Sequence, residues 1–100
     1  MVENEIKIGS QTFKITYVAD LHNGSNELDG WLQPWKSCIS LDTRLDVFST
    51  RQTLWHEIIH QLVNLAGIKE VVPESAIDSL SYGIIQILED NKFIRSLKEN

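Results

Sequence analysis

The sequence predicts an α+β domain in which a small, mostly antiparallel sheet leads into two packed helices. Three observations predict it. Apolar and polar side chains alternate in the first half, apolar residues recur every three or four positions in the second half, and Gly or Pro separates the segments. The 100 residues are 42% apolar and 23% charged, a composition that suits one globular unit with a modest core. We therefore expect residues 1–100 to form a single domain.

The first predicted element is a β-hairpin over residues 6–19. Residues 6–8 and 12–19 alternate apolar with polar side chains, as strands with one buried face do. Gly9-Ser10 lies between them and supplies turn chemistry. The two segments should therefore pair as neighbouring strands.

The next stretch combines a loop with short strands. Residues 21–29 are rich in Asn, Gly and Ser and predict a loop. Residues 31–33 and 37–41 flank Pro34 and predict two further strands or one irregular hairpin. The 37–41 segment is either an open sheet edge, with which an extended substrate pairs, or a core strand.

Residues 50–66 predict the first helix. Ser49 and Gln52 have the spacing of a capping box, and Gly67 suits a left-handed C-terminal cap. Apolar residues at intervals of three and four fall on one half of the helix and predict its buried side. They are Leu54, Trp55, Ile58, Ile59, Leu62, Val63 and Ala66.

This helix carries the sequence His56-Glu57-Ile58-Ile59-His60, an HExxH motif. On a helix the motif sets two imidazoles one turn apart, where both can bind one zinc ion, and here they fall on the polar half, toward a cleft. In a catalytic site the fourth zinc position holds a water of lowered pKa. Glu57 is then the general base that takes the proton of that water.

The third zinc ligand is predicted to be a carboxylate. No His or Cys follows His60, so only His22 or Cys38, folding back from the first half, offers another nitrogen or sulfur. Three ligands would leave an open position for catalysis, whereas a structural site normally has four. The number of ligands therefore distinguishes a catalyst from a structural zinc site.

A second helix follows Pro73, which suits a first helical turn, and its apolar positions run through residues 76–88. Glu74 and Asp78 lie one turn apart at the edge of that apolar face. We assign Glu74 as the third ligand and Asp78 as the partner that accepts the outer N–H of a ligand histidine. The reverse assignment, with Asp78 on the metal, remains open. Tyr82, one turn further, is a candidate donor to the oxyanion.

Residues 53–91 resemble the compact phage and mobile-element metallopeptidases related to the ImmA/IrrE group. In that group a Glu on the helix after HExxH completes the zinc site, and a small polar residue, usually Asn, follows four positions later. Glu74 and Asp78 match this pattern, with Asp in place of Asn. The resemblance implies a minimal zincin-like, gluzincin-type domain that uses Zn²⁺ for limited proteolysis of a regulatory protein in the cytoplasm of a bacterial host.

Net charge and hydropathy restrict the possible functions and locations of the protein. The net charge of −5 and the scattered Lys and Arg argue against autonomous nucleic-acid binding. The opening residues lack a signal-peptide apolar run, no stretch approaches a membrane span, and a lone Cys38 fits a reducing compartment. We therefore expect a cytoplasmic protein that acts on a protein or peptide. The alternative function is a zinc-binding or interaction module of a phage or mobile element without catalysis.

Overall fold

A computed structural model describes residues 4–98, and its first two strands form the predicted hairpin. β1 (Asn4–Ile8) pairs antiparallel with β2 (Gln11–Val18), and the pairing of Ile8 with Gln11 leaves a two-residue turn. Gly9 in that turn has a φ of 64°, a left-handed conformation that glycine adopts without steric cost. Residues 1–3 lie outside the described residues.

The main sheet has four strands and is mixed. β5 (Gly30–Gln33) and β6 (Cys38–Asp42) are joined by a 3₁₀ turn at Pro34–Lys36, and the sheet order is β1, β2, β6, β5. β3 (His22–Asn23) and β4 (Asn26–Glu27), within the predicted loop, form a separate small hairpin. β6 runs antiparallel to β5 but parallel to β2, so the expected mostly antiparallel character holds for two of the three pairings.

The expectation that residues 37–41 form an open edge is wrong. β6 is hydrogen-bonded on both sides, to β2 and to β5, and it is β5 that forms the edge of the sheet on this side. The polar side chains of β6 are compatible with a central position because they form hydrogen bonds inside the protein. Ser40 pairs with the Thr16 hydroxyl at 3.1 Å, and the Asp42 carboxylate accepts the backbone N–H of Leu21 at 2.9 Å.

The first helix, α1 (Val47–Ala66), begins three residues before the predicted start. Asp46 is its N-cap and accepts a hydrogen bond from the backbone N–H of Ser49 at 2.7 Å, so the predicted capping box of Ser49 and Gln52 is wrong. The C-terminal prediction is confirmed, since Gly67 has a φ of 71° and its N–H reaches the carbonyls of the last turn.

The buried side of α1 differs in part from the predicted one. Leu62 is 49% exposed, whereas Glu57 and Gln61 are buried. The sheet edge accounts for Glu57, because Gly30 of β5 lies directly over the Thr53 and Glu57 side chains. The polar half of the helix is therefore divided between a covered part next to the sheet and an open part that carries the two histidines.

The second helix, α2 (Glu74–Asp90), starts where the sequence predicts, with Pro73 at its N-cap. It packs against α1 through Ile77, which joins Ile59 and Val63 in a small buried cluster. A 3₁₀ segment at Lys92–Ser96 follows α2. None of the helices within residues 4–98 combines the length and apolarity needed to cross a membrane.

The main core lies between the sheet and α1. Phe13, Ile39 and Leu41 are completely buried there and contact Ile8 and Ile58. Each such side chain contributes roughly 1.5–3 kcal/mol by leaving water. This core fixes α1 relative to β5 and β6, and so fixes the position of the HExxH motif relative to the edge of the sheet.

Candidate metal centre

Three side chains predicted to be zinc ligands converge at the junction of the two helices. His56 and His60 project from successive turns of α1, and Glu74 is the first residue of α2. The two Nε2 atoms are 3.2 Å apart, and Oε1 of Glu74 lies 2.6 Å from Nε2 of His56 and 3.2 Å from Nε2 of His60. They form one group of atoms able to hold a metal ion.

These separations fit a tetrahedral zinc site. With Zn–N and Zn–O bonds of about 2.0–2.1 Å, tetrahedral ligand atoms lie about 3.3 Å apart. The His56–His60 and His60–Glu74 separations, both 3.2 Å, are close to this value. The His56–Glu74 pair, at 2.6 Å, is a hydrogen-bond distance that lengthens by less than 1 Å on metal binding. Little rearrangement is therefore needed to bind zinc.

Asp78 lies on the outer side of His56. Its Oδ1 accepts a hydrogen bond from Nδ1 of His56 at 3.1 Å, which leaves Nε2 of a neutral imidazole with its lone pair. That lone pair then faces Oε1 of Glu74, another acceptor, at 2.6 Å. Two acceptors at this distance need a proton or a metal cation between them. The donor set therefore has the chemistry of a cation site.

A buried polar network holds Asp78 in place. Gln52 donates from Nε2 to Oδ1 of Asp78 at 3.1 Å and to the Ser81 hydroxyl at 2.9 Å. Ser81, fully buried, donates in turn to the backbone carbonyl of Asp78 at 2.7 Å. These hydrogen bonds connect Gln52 of α1 to Asp78 and Ser81 of α2. The Asp78 oxygen that accepts from His56 therefore has a defined position.

Glu57 occupies a covered position between the histidines and β5. Its burial raises the pKa of the carboxyl group, an effect that the neighbouring His56 and His60 partly offset. The nearby backbone of Leu32 also favours the ionised carboxylate, to a smaller extent. A buried carboxylate with a raised pKa next to the two histidines is well suited to accept a proton from water.

Glu74 is the most exposed member of the group, with 68% of its side chain accessible. Partial burial disfavours its ionised form, but the interactions with the neighbouring His56 and His60 outweigh this and hold the pKa of Glu74 below its ordinary value. The carboxylate is thus ionised near neutral pH, as a metal ligand must be.

The group opens onto two adjoining clefts that share Gly30, Glu57 and Glu74 in their walls. The larger has a volume of about 490 Å³ and includes His60. The smaller has a volume of about 190 Å³ and includes His56. A ligand of peptide size can therefore reach the imidazoles from solvent.

Other predicted candidates lie away from the centre. The Tyr82 ring stacks on Phe48 with a centroid separation of 5.9 Å and lines neither cleft, so its proposed role at the oxyanion is wrong. Cys38 lies in β6 beside Thr16. His22 is exposed in β3, where it forms with Asp20 and Glu27 a second group of possible ligands in which every member is solvent-exposed.

Sequence reasoning missed the residues that support the centre. Gln52 precedes His56 by four positions and Ser81 follows Asp78 by three, so each shares a helix face with the residue that it supports. This helical spacing could have identified Gln52 and Ser81 from the sequence. No comparable signal existed for Gly30 and Leu32, because their proximity to Glu57 depends on the packing of β5 over α1.

Comparison with known proteins gives no relative. No family model, no curated protein and no solved structure matches the chain.

Proposed function

We propose that the protein is a zinc-dependent metallopeptidase in which His56, His60 and Glu74 bind the metal and Glu57 is the general base. One observation carries the proposal. Two imidazole nitrogens and a carboxylate oxygen converge within 3.2 Å, beside a buried carboxylate and at the wall of an open cleft. A metal ion held there would supply Lewis acidity, polarising a peptide carbonyl and acidifying a water.

The residues of the chain perform the remaining tasks. Glu57 accepts a proton from the attacking water and delivers it to the departing amine, a role for which its burial and raised pKa are suited. The nearby backbone of Leu32 favours the ionised form of the same carboxylate. Asp78 holds His56 in the tautomer whose Nε2 lone pair faces Glu74.

The edge of β5 is suited to orient a substrate. In the antiparallel ladder with β6, the N–H of Asp42 donates to the carbonyl of Asp29 at 2.8 Å, so Gly30 and Leu32 direct their backbone groups away from β6. The Leu32 backbone lies near the Glu57 carboxylate. An extended peptide would pair with the Gly30 amide and carbonyl next to the proposed catalytic residues, replacing the role expected of residues 37–41.

The number of ligands favours a catalytic over a structural zinc site. Within residues 4–98, the group at the helix junction has three members, and neither His22 nor Cys38 is one of them. Asp78 contacts Nδ1 of His56, on the side of the ring away from the converging atoms. Structural zinc sites normally have four protein ligands, whereas catalytic sites have three.

Peptide hydrolysis by zinc-loaded protein tests the proposal. A defined mixture of synthetic peptides is incubated with wild-type protein and with Glu57→Gln, and new termini are identified by mass spectrometry. Glu57→Gln should retain one zinc per chain yet lose at least about 100-fold in cleavage rate, since it cannot accept the proton. The matched control is Glu70→Gln, an exposed Glu between the helices that lies outside the metal-binding group.

The role of Glu57, peptide cleavage and zinc binding can each be refuted separately. Cleavage that survives in Glu57→Gln would remove Glu57 from the role of base. Zinc bound at one equivalent without cleavage of any peptide would instead favour the non-catalytic zinc-binding module. Wild-type protein that binds no zinc would refute both functions.

A further inference from the structure

The two clefts beside the candidate metal centre differ in chemistry. The larger, here called the apolar half, contains the apolar residues Leu28, Leu32, Val63, Val72 and Ile77 beside polar ones that include Asn23, Asn64 and Lys69. The smaller, here called the acidic half, is lined by Asp29 and Asp78 together with Gln52 and Thr53. Because Gly30, Glu57 and Glu74 border both, a ligand lying across the centre would place different groups in each half.

The apolar half has room for a large side chain. Its volume of about 490 Å³ exceeds that of any single amino-acid side chain, and Val63 and Ile77 form its buried floor. Val72, from the connection between the helices, packs on the same cluster and is half-buried at the wall. Removing an apolar side chain from water into such a site is favourable in proportion to the area covered.

The two halves differ in the charged residues that line only one of them. Asp78 is already engaged by His56 and Gln52, but the carboxylate of Asp29 is exposed and has no hydrogen bond or ion pair within residues 4–98. The backbone of Asp29 is fixed by its hydrogen bond to β6, so its charge stays at the acidic half. Lys69 lines the apolar half and would repel a cation there.

We propose that the preferred substrate is a peptide segment with a large apolar side chain on one side of the scissile bond and a basic side chain on the other. The apolar side chain occupies the apolar half, and the basic one faces Asp29. This inference rests on the proposed function for its scissile bond, but the recognition itself is a binding property. It can therefore be measured without turnover.

The binding test uses capped seven-residue alanine peptides containing one Leu, with Lys, Glu or Ala placed two positions before or after it. Affinities are measured by calorimetry on zinc-loaded Glu57→Gln, which avoids cleavage. Replacing Leu by Ala should weaken binding about tenfold, the usual effect of emptying an apolar pocket. In one of the two orders, the Lys peptide should bind about three- to fivefold more tightly than the Ala peptide, as an exposed ion pair allows. The Glu peptide should bind more weakly than the Ala peptide.

Two variants assign the effects to residues. Asp29→Asn should remove the preference for Lys and leave the preference for Leu, whereas Val72→Ser should do the reverse. The control Asp90→Asn, at the far end of α2, should change neither. Equal binding of the Lys and Glu peptides in both orders, absence of binding by every peptide, or a Lys preference that survives Asp29→Asn would overturn the inference.

The outcomes separate this inference from the proposed function. If the peptides bind with the expected preferences and wild-type protein does not cleave them, hydrolysis fails and the recognition stands. If wild-type protein cleaves peptides through Glu57 without regard to Leu or Lys, the proposed function stands and the recognition fails.

Discussion

Oδ1 of Asp78 lies 3.1 Å from Nδ1 of His56 and receives a second hydrogen bond, also of 3.1 Å, from Gln52. One carboxylate oxygen thus connects a histidine of the proposed metal site to a buried side chain on the preceding turn of the same helix. Because the oxygen is held by both helices, the imidazole cannot rotate without breaking contacts on α2. The orientation of His56 is therefore set before any metal binds.

Loss of this contact should weaken metal binding while preserving the fold. Asp78→Ala leaves Nδ1 of His56 without its acceptor, and such losses typically cost about 10–100-fold in metal affinity. Competition with a chromophoric chelator measures the zinc dissociation constant, and far-ultraviolet circular dichroism monitors the helices. Asp90→Asn, on the same helix, is the control. An unchanged dissociation constant in Asp78→Ala would exclude this role for Asp78.

Zinc should stabilise the folded chain by mass action. At a free zinc concentration 100 times the dissociation constant, one site adds about 2.7 kcal/mol to the free energy of unfolding. For a domain of this size that raises the melting temperature by roughly 10–20 °C. Differential scanning calorimetry with and without zinc gives the shift. His60→Ala should abolish it, and Mg²⁺, which prefers oxygen ligands, should not reproduce it. A shift that survives in His60→Ala would locate zinc elsewhere.

The HExxH motif was read directly from the sequence, Glu74 and Asp78 were assigned from ligand chemistry and helical spacing, and the structure brings these residues together. Periodicity works here because positions three and four apart on a helix share a face whatever the tertiary fold. The sheet was harder to predict. Alternation shows which residues share a strand face, but not which strand is central, so the sequence left residues 37–41 open between an edge and a core strand. The clefts are formed jointly by β5, the helix connection and both helices. No local sequence pattern therefore predicts them.

Gly30 should be required for the position of Glu57. A Cβ at this residue would lie 2.5 Å from Cγ2 of Thr53 and 3.3 Å from Cγ of Glu57, so Gly30→Ala forces β5 away from α1. Overpacking of this kind typically costs about 1–3 kcal/mol. Urea denaturation should show that loss in Gly30→Ala. Thr53→Ser removes the methyl group concerned, so the double variant should recover much of the stability. Gly83→Ala, where no atom apart from the chain neighbours and the backbone of its own helix lies within 4 Å of the added Cβ, is the control and should lose no stability.

Asp42 should make stability depend on pH in the acid range. Its side chain is buried, and hydrogen bonds from the Arg44 side chain at 2.8 and 3.0 Å, from the Arg44 backbone and from the Leu21 backbone hold its pKa far below the ordinary value. A lowered pKa in the folded state means that the unfolded chain binds the proton more readily. The stabilisation is therefore complete above about pH 4, the unfolded value, and declines as the pH falls toward the lower folded value.

Asp42→Asn isolates this contribution. The variant should unfold at lower urea concentration than wild type at pH 7, because it loses the charged partner of Arg44. The difference between the two should then shrink as the pH falls below about 4, because the unfolded wild-type chain takes up a proton at Asp42 that the folded chain does not. Urea midpoints measured from pH 7 to pH 2.5 give both curves, with the exposed Asp90→Asn as reference. A difference that stays constant across that range would assign the loss to packing instead of to the ionised carboxylate.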